Sequence, residues 1–307
     1  MNPRESSRPT LLLAGGGLAN GLIALKLAET HPDTRIVLFE AGDTPGGNHT
    51  WSFHANDLDD EGHRLMAPLV AYRWDAQKVQ FPDYQRTLDQ AYLTTHSDAL
   101  AERLAATPAI EQRCNARVLQ VEPNAVVLED GERIEGSATI DGRGPGKSTG
   151  MVLGFQKFLG HEIRTAEPHG VTTPVIMDAT VSQQDGYRFV YVLPLTEDRL
   201  LVEDTYYSEA GDLSREALVE RIDAYIADRG WRKVERVREE HGVLPILMAG
   251  DFNQFWPRHD PVARAGLRAG GGDARVNGED PAASGVRSGG AAPVAAATAR
   301  ASSWPYP

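Results

Sequence analysis

Apolar and polar positions follow three different rhythms along this chain, and each predicts a different architecture. Residues 10–14 (TLLLA) form a short apolar run of strand length that ends abruptly in Gly15, Gly16 and Gly17. Directly after it, Leu18, Leu22, Ile23, Leu25 and Leu27 recur at helical spacing and give one apolar face. Residues 35–41 form a second apolar run, so the opening reads as strand, glycine turn, helix and strand. Residues 98–106 read as a short amphipathic helix, and 117–134 as two strands around a Glu129-Asp130-Gly131 turn. The segment ATIDGRGPG then ends a strand at Asp141 with a glycine-rich turn.

From Val152 the rhythm becomes extended. GFQKFLGHEIR, TTPVIMDAT, YRFVYVLPL and RLLVEDTYYS are rich in β-branched and aromatic residues and are separated by turns such as Glu197-Asp198, which predicts an antiparallel sheet. A helix follows over residues 214–229, with Ser214 as N-cap, Ala217, Leu218, Ile222 and Ile226 on its apolar face, and Gly230 ending it. HGVLPI reads as one more strand. The expected fold class is therefore α/β: a Rossmann-like dinucleotide-binding domain, mainly residues 10–150, interleaved with an antiparallel β-sheet substrate domain over 151–250. Residues 251–270 begin a return to the first domain. The third rhythm has no period. From Ala265 to Pro307, Ala, Gly, Ser and Pro make up 28 of 43 residues and no Leu, Ile or Phe follows Leu267. Such a stretch buries too little apolar surface to offset its ordering entropy, and the tail over 271–307 is expected to be disordered, as is the polar start over 1–9.

The glycine turn has the parts of a dinucleotide cradle. A pyrophosphate needs a strand that stops, a turn without side chains, and a helix whose first N–H groups face the phosphates. Gly15 and Gly17 stand where the backbone turns and approaches the ligand, while the third glycine of the usual spacing is displaced, leaving Asn20 followed by Gly21. Glu40 ends the second strand at the distance where an acid accepts hydrogen bonds from a ribose. Gly42, Gly46 and Gly47 make a second flexible loop, which suits a protein that buries a whole flavin dinucleotide. Asp141, Gly142 and Gly144 are expected to lie near the same cofactor. His49 and His54 have no Cys or acid cluster at ligand spacing, so no metal is expected.

Composition removes several classes. The 307 residues suffice for one large or two interleaved domains. A net charge of −12 argues against nucleic acid as the main partner. Cys114 is the single cysteine, which excludes an intrachain disulfide and fits a reducing cytosol. The N-terminal MNPRESSRPT is polar and the run after it is of strand length, so neither a signal peptide nor a spanning helix is expected.

Taken together, GLANGLIALKL, GGNHTWSFH, DGRG, GFQKFLGHEIR, YRFVYVLPLT, RLLVEDTYYS and HGVLPI make the stretch from about residue 10 to Gly270 resemble the bacterial lycopene β-cyclases, which are flavin-dependent carotenoid cyclases. The resemblance implies an FAD-binding domain interrupted by a substrate domain, lycopene as substrate, reduced FAD as the active cofactor, NAD(P)H as reductant, and no net redox change. It also implies a cytoplasmic protein held peripherally at the inner face of the cell membrane, since lycopene is an apolar polyene drawn from the bilayer. Within RLLVEDTYYS, Glu203 matches the acid that the family uses to protonate the substrate or stabilise the cation. Asp204 is the second candidate, because alternation along a strand sends the two side chains to opposite faces. Trp51, Phe155, Phe158 and Tyr191 are candidates to line the polyene channel.

The resemblance breaks off after GLRAG, where the chain continues GGDARVNGEDPAASG. The loss of large apolar residues in mid-motif reads as a shifted reading frame or a truncation, with a natural tail as the alternative, and is expected to remove one wall of the flavin site. Two other readings stay open on the residues: a monooxygenase or desaturase using FAD and NAD(P)H, which shares the cradle, and an inactive remnant.

Overall fold

The structure, a computed structural model, describes residues 8–144, 151–183 and 186–251, together with a strand at 263–264. The expected disorder of the tail and of most of 1–9 concerns residues outside those described.

A parallel sheet forms the first layer. It is built from β1 (Thr10–Ala14), β2 (Arg35–Phe39), β8 (Ile110–Arg113), β12 (Ala138–Asp141) and β18 (Ala263–Arg264), in the order β18-β12-β1-β2-β8. Every pairing is parallel. Strands covered on both faces need near-continuous apolar runs, and Leu12, Leu13, Ala14, Ile36, Val37, Leu38 and Phe39 are all fully buried. On one face α1 (Leu18–Thr30), α2 (Asp60–Met66) and α3 (Ser97–Ala105) pack Leu22, Leu25, Met66, Leu100 and Leu104 against Leu13, Ile36 and Leu38. The other face is covered by β9 (Val118–Glu122), β10 (Ala125–Leu128) and β11 (Arg133–Glu135), whose Val118, Val126 and Leu128 meet Leu12, Val37 and Phe39. Two strands were expected over 117–134. There are three, because Pro123 and Asn124 form a second turn that joins Glu122 to Ala125.

The second layer is a seven-stranded sheet in the order β17-β13-β16-β15-β14-β5-β6. Its strands are β5 (Gln77–Phe81), β6 (Tyr84–Leu88), β13 (Met151–Thr165), β14 (Val175–Asp178), β15 (Arg188–Pro194), β16 (Arg199–Ser208) and β17 (Lys233–Gly250). All neighbours are antiparallel except β14 and β5. The chain enters this sheet earlier than expected, since β5 and β6 lie within 10–150. Their sequences QKVQF and YQRTL are polar because β6 is a largely exposed edge, which needs no apolar run.

The two faces of this sheet differ. On the outer face α4 (Arg215–Asp228) buries Leu218, Ile222, Tyr225 and Ile226 against Leu159, Ile163, Val190, Val192, Leu200, Val202 and Tyr206. On the inner face lies a small antiparallel sheet in the order β3-β7-β4, made of β3 (Thr50–His54), β7 (Tyr92–His96) and β4 (Tyr72–Trp74). Tyr92 packs there with Leu193, Leu195 and Leu201, flanked by Tyr72, Trp74 and Tyr191. This small sheet joins the two layers. No helix among the described residues is long and apolar enough to cross a membrane.

The outer face also holds a buried ion pair. Arg188 Nε donates to Asp204 Oδ2 at 2.8 Å and Oδ1 at 3.1 Å, and both side chains are nearly inaccessible. Removing one member leaves a charge stranded, which costs roughly 3–5 kcal/mol. Asp204→Ala is therefore expected to lose about that much stability in urea unfolding, and a loss below about 1 kcal/mol would show that Arg188 finds another partner.

Candidate active site

The cradle residues meet at the carboxyl end of the parallel sheet, where open α/β folds bind ligands. The chain turns at Gly15 with φ +93°, and a Cβ there would lie 2.6 Å from the Gly142 carbonyl oxygen, so both conformation and space demand glycine. Gly17 caps α1 without a side-chain hydrogen bond, and a Cβ there would meet nothing within 4 Å. The helix thus starts with unsatisfied N–H groups beside open space, the donor set a pyrophosphate requires. Asn20 is buried and its Nδ2 donates to the carbonyls of Ala14 at 3.0 Å and Gly15 at 2.8 Å, clipping the strand end to the turn. Gly142 is needed opposite it, since a Cβ there would lie 2.5 Å from Asn20 Nδ2. Gly21 lets α1 approach Leu100 of α3, with a Cβ only 2.9 Å from its Cδ1. The displaced glycine thus serves helix packing while Asn20 serves the turn.

Glu40 binds protein rather than standing free. Its Oε2 accepts the Gly16 N–H at 2.9 Å and its Oε1 accepts the Gly42 N–H at 2.8 Å, so one carboxylate holds both glycine loops. The Gly46 N–H donates to the Gly16 carbonyl at 2.8 Å, and Gly46 and Gly47 both have positive φ. Asp141 sits beside Ala14 in register and is paired with Arg143 at 2.7 Å. Gly144, with φ +90°, is the last described residue before 145–150. The cradle residues named from the sequence are therefore brought to one edge.

A second site lies on the inner face of the antiparallel sheet. Tyr191, Glu203, Gly160 and Glu240 stand in register on the adjacent strands β15, β16, β13 and β17. Gly160 has no side chain, and a Cβ there would lie 3.2 Å from Glu240 Cγ and 3.4 Å from Glu203 Cβ, so the two acids converge over it. Thr205 Oγ1 donates to Glu203 Oε1 at 2.8 Å. The Thr50 N–H donates to Glu240 Oε2 at 2.7 Å, and Arg238 Nη1 lies 3.7 Å from the same oxygen. Above the acids the hydroxyls of Tyr92 and Tyr191 are hydrogen-bonded at 2.8 Å.

Burial, reinforced by the negative charge of Glu240, pushes the Glu203 carboxyl up to about 8. Burial likewise pushes Tyr92 up to about 12 and raises Tyr191. His49 and His96 are lowered by burial and then by the Arg238 charge, so they favour the neutral form. The site holds an acid that keeps its proton at neutral pH, beside two neutral phenols.

The other predicted residues divide between the faces. Phe158 joins the inner face, its ring so close to Gly242 that a Cβ there would lie 2.5 Å from Cε1. Phe155 points to the outer face beside Gly211, and Asp204 points there to Arg188. Trp51 lies on the side of β3 that packs with the α1–α3 core, opposite Ser52. The structure thus assembles Glu203, Tyr191 and Phe158 and leaves Asp204, Phe155 and Trp51 elsewhere. Glu240, Tyr92 and Gly160 had no signal of their own in the sequence. The strand expected at HGVLPI begins one residue after Glu240, whereas β17 starts at Lys233.

A Rossmann-like parallel sheet interleaved with an antiparallel sheet, with a glycine cradle on one and a buried acid on the other, defines an α/β protein of the dinucleotide-binding kind. The chain belongs to the lycopene cyclase family: the family described as "Lycopene cyclase protein" matches residues 10–271. It is 47% identical over 260 residues to a lycopene beta-cyclase of Pseudescherichia vulneris, covering 85% of this chain and 67% of that protein. It is 45% identical over 260 residues to a lycopene beta-cyclase of Pantoea ananas, covering 85% and 68%. Among solved structures the fold is similar to a geranylgeranyl bacteriochlorophyll reductase-like protein from Thermoplasma acidophilum, with TM-score 0.58, 14% identity and coverage of 83% and 70%. It is also similar to 2-methyl-3-hydroxypyridine-5-carboxylic acid oxygenase, with TM-score 0.52, 13% identity and coverage of 84% and 74%.

The raised Glu203 carboxyl links stability to pH. A carboxyl that holds its proton up to about 8 when folded, against an ordinary value of 4.5, makes the folded state bind more protons than the unfolded one between those values. Its contribution to stability therefore falls as pH rises through that window, by at most about 1.4 kcal/mol per pH unit. Glu203→Gln is expected to flatten this decline. Urea unfolding at several pH values between 5 and 8 would show it, and parallel curves for parent and variant would contradict it.

Proposed function

We propose that the chain is a lycopene β-cyclase, using FAD to close the linear ends of lycopene into β-ionone rings without net redox change. The observation that carries the reading is Glu203 buried on the inner sheet face beside Gly160 and Glu240, in a chain of this family. Glu203 gives its proton to the less substituted carbon of the terminal alkene, leaving a tertiary carbocation. The neighbouring double bond attacks that carbon, a ring bond forms, and the charge moves onto the ring. Return of a ring proton to the Glu203 carboxylate forms the ring double bond and regenerates the acid, so substrate and product have the same formula. Burial keeps the proton available at neutral pH and strengthens the field felt by the cation. The rings of Tyr92, Tyr191 and Phe158 offer π-faces to positive charge. Because both phenols stay neutral, neither presents a phenolate to trap the cation.

The cradle fits FAD. Gly15, Gly17 and the first turn of α1 receive the pyrophosphate, Asn20 and Gly142 hold the turn, and Glu40 fixes Gly16 and Gly42. When bound and reduced, FAD supplies negative charge to a reaction that passes through a cation. NAD(P)H is the proposed reductant. An apolar substrate of this length supports a peripheral position at the inner face of the cell membrane. Asp204 serves the fold through Arg188, and Phe155 and Trp51 serve packing.

Cyclisation of lycopene supplied with FAD and NADPH under argon tests the reading. The product should form without oxygen and have the mass of the substrate, whereas product that forms only once air is admitted, with matching oxygen uptake, would replace the cyclase with a monooxygenase. Glu203→Gln is expected to lower the rate at least about a hundredfold. The parent rate should fall as pH rises above about 8, where Glu203 loses its proton. A variant within a few-fold of the parent would remove Glu203 from the chemistry.

A further inference from the structure

We infer that Glu203 and Glu240, converging over Gly160, share a single proton, and that Glu240 is the positioning residue whose charge keeps that proton on Glu203. The inference rests on the cyclase reading for its consequence, but the pair itself stands on charge, register and space. Three strands contribute one position each. Glu203 of β16 and Glu240 of β17 would be separated by any side chain on the intervening β13, and Gly160 supplies none.

The charges on this face decide which acid is neutral. Two guanidiniums face it, Arg238 and Arg199, against three carboxyls, Glu162, Glu240 and Glu203. Arg199 is paired with Glu162, and Arg238 lies 3.4 Å from Glu162 and 3.7 Å from Glu240. His49 and His96 favour the neutral form, the His54 ring lies 3.5 Å from Asp57, and Asp204 faces the other way to Arg188. Two positive charges balance two negative ones, and the third carboxyl is left over. Burial raises the Glu240 carboxyl as well, but Arg238 and the Thr50 N–H on its Oε2 oppose that rise and give it the anion's partners. Among the described residues Glu203 has the Thr205 hydroxyl on its Oε1 and the neutral phenols Tyr92 and Tyr191 nearby, and no cation. The proton therefore belongs on Glu203.

Glu240 is 3% exposed, and its Oε1 is buried with no hydrogen-bond partner among the described residues. Buried carboxylate oxygens are costly to leave unsatisfied. A protonated Glu203 beside it is the available donor, and an O–H donated from Glu203 would satisfy Glu240 and hold the acid in place. Two carboxyls at close quarters cannot both ionise easily, which is how one of them stays an acid at neutral pH.

Infrared spectroscopy of the full chain, titrated from about pH 5 to pH 10, tests the pair without requiring turnover. In the parent a carboxylic acid C=O band should disappear around pH 8. In Glu240→Gln that band should disappear about one pH unit or more lower, and the cyclisation rate at pH 8 should fall about tenfold while the rate at pH 6 changes little. Glu240→Asp, which keeps the charge, should move the titration back toward the parent. A Glu240→Gln band that titrates with the parent overturns the pair. Glu203→Gln reads the coupling from the other side and serves if the Glu240 variant does not fold. It should leave no acid band titrating above pH 7, and a persisting band would place the proton on Glu240 and overturn the assignment. If the band behaves as expected but no variant, nor the parent, cyclises lycopene, the pair stands and the cyclase reading falls.

Discussion

The guanidinium of Arg238 ties the two halves of this molecule together. It projects from β17 of the antiparallel sheet and hydrogen-bonds Asn48 Oδ1 at 3.2 Å and the Thr50 hydroxyl, with His96 Nδ1 at 3.3 Å, all belonging to the first half of the chain. It simultaneously approaches Glu162 and Glu240 on its own sheet. Asn48 adds a second tie by donating to the Glu239 carbonyl at 2.7 Å. These contacts join residues some 190 positions apart and fix where the inner sheet face stands relative to β3 and β7. The same charge that holds the halves together also supplies half of the electrostatic balance at the acid. Docking of the domains and protonation of the site are thus one arrangement.

Strong local patterns in the sequence were enough to read the cradle. A strand, a glycine turn and an amphipathic helix are contiguous, and every contact between Ala14, Gly15, Gly17 and Asn20 is made within a few residues. Even the departure from the usual glycine spacing has a local cause, since Asn20 bonds the turn and Gly21 takes the packing role against Leu100. The Asp141-Gly142 turn lies against Gly15 because a parallel strand returns its end to the same edge. Glu40 was legible as a carboxylate of the cradle, but its partners Gly16 and Gly42 were not, because a ribose and a pair of backbone N–H groups ask for the same acceptor.

The acid site was only half legible. Glu203 stood out in RLLVEDTYYS, and strand alternation correctly sent Asp204 to the other face, where a cation awaited it. Glu240 was invisible because its role depends on register across three strands and on a missing side chain at Gly160, neither of which leaves a periodic trace. β17 extends to Lys233 through a charged stretch, KVERVREEH, which has the composition of a surface segment. Those charges are there because this edge strand faces the ion-pair network of Arg199, Arg238 and Glu162 as well as solvent. Tyr92 and the polar strands β5 and β6 escaped for the same reason: their partners come from distant parts of the chain.

Glu203 and Asp204 are adjacent acids in one strand, and their different fates follow from what lies across from each. Asp204 meets Arg188, which donates to its carboxylate through Nε and Nη2, and the pair fills a face otherwise closed by α4. Glu203 meets a glycine, a second carboxyl and two phenols, none of which can balance a negative charge. Burial raises both carboxyls, but Asp204 has a guanidinium that opposes the rise and Glu203 has none. An apolar neighbour at Glu240 would leave burial alone to keep the proton on Glu203, whereas a cation there would release it. An acid at this position with a carboxylate beside it, anchored in turn by Arg238 and Thr50, keeps a strong proton donor in a folded interior at neutral pH.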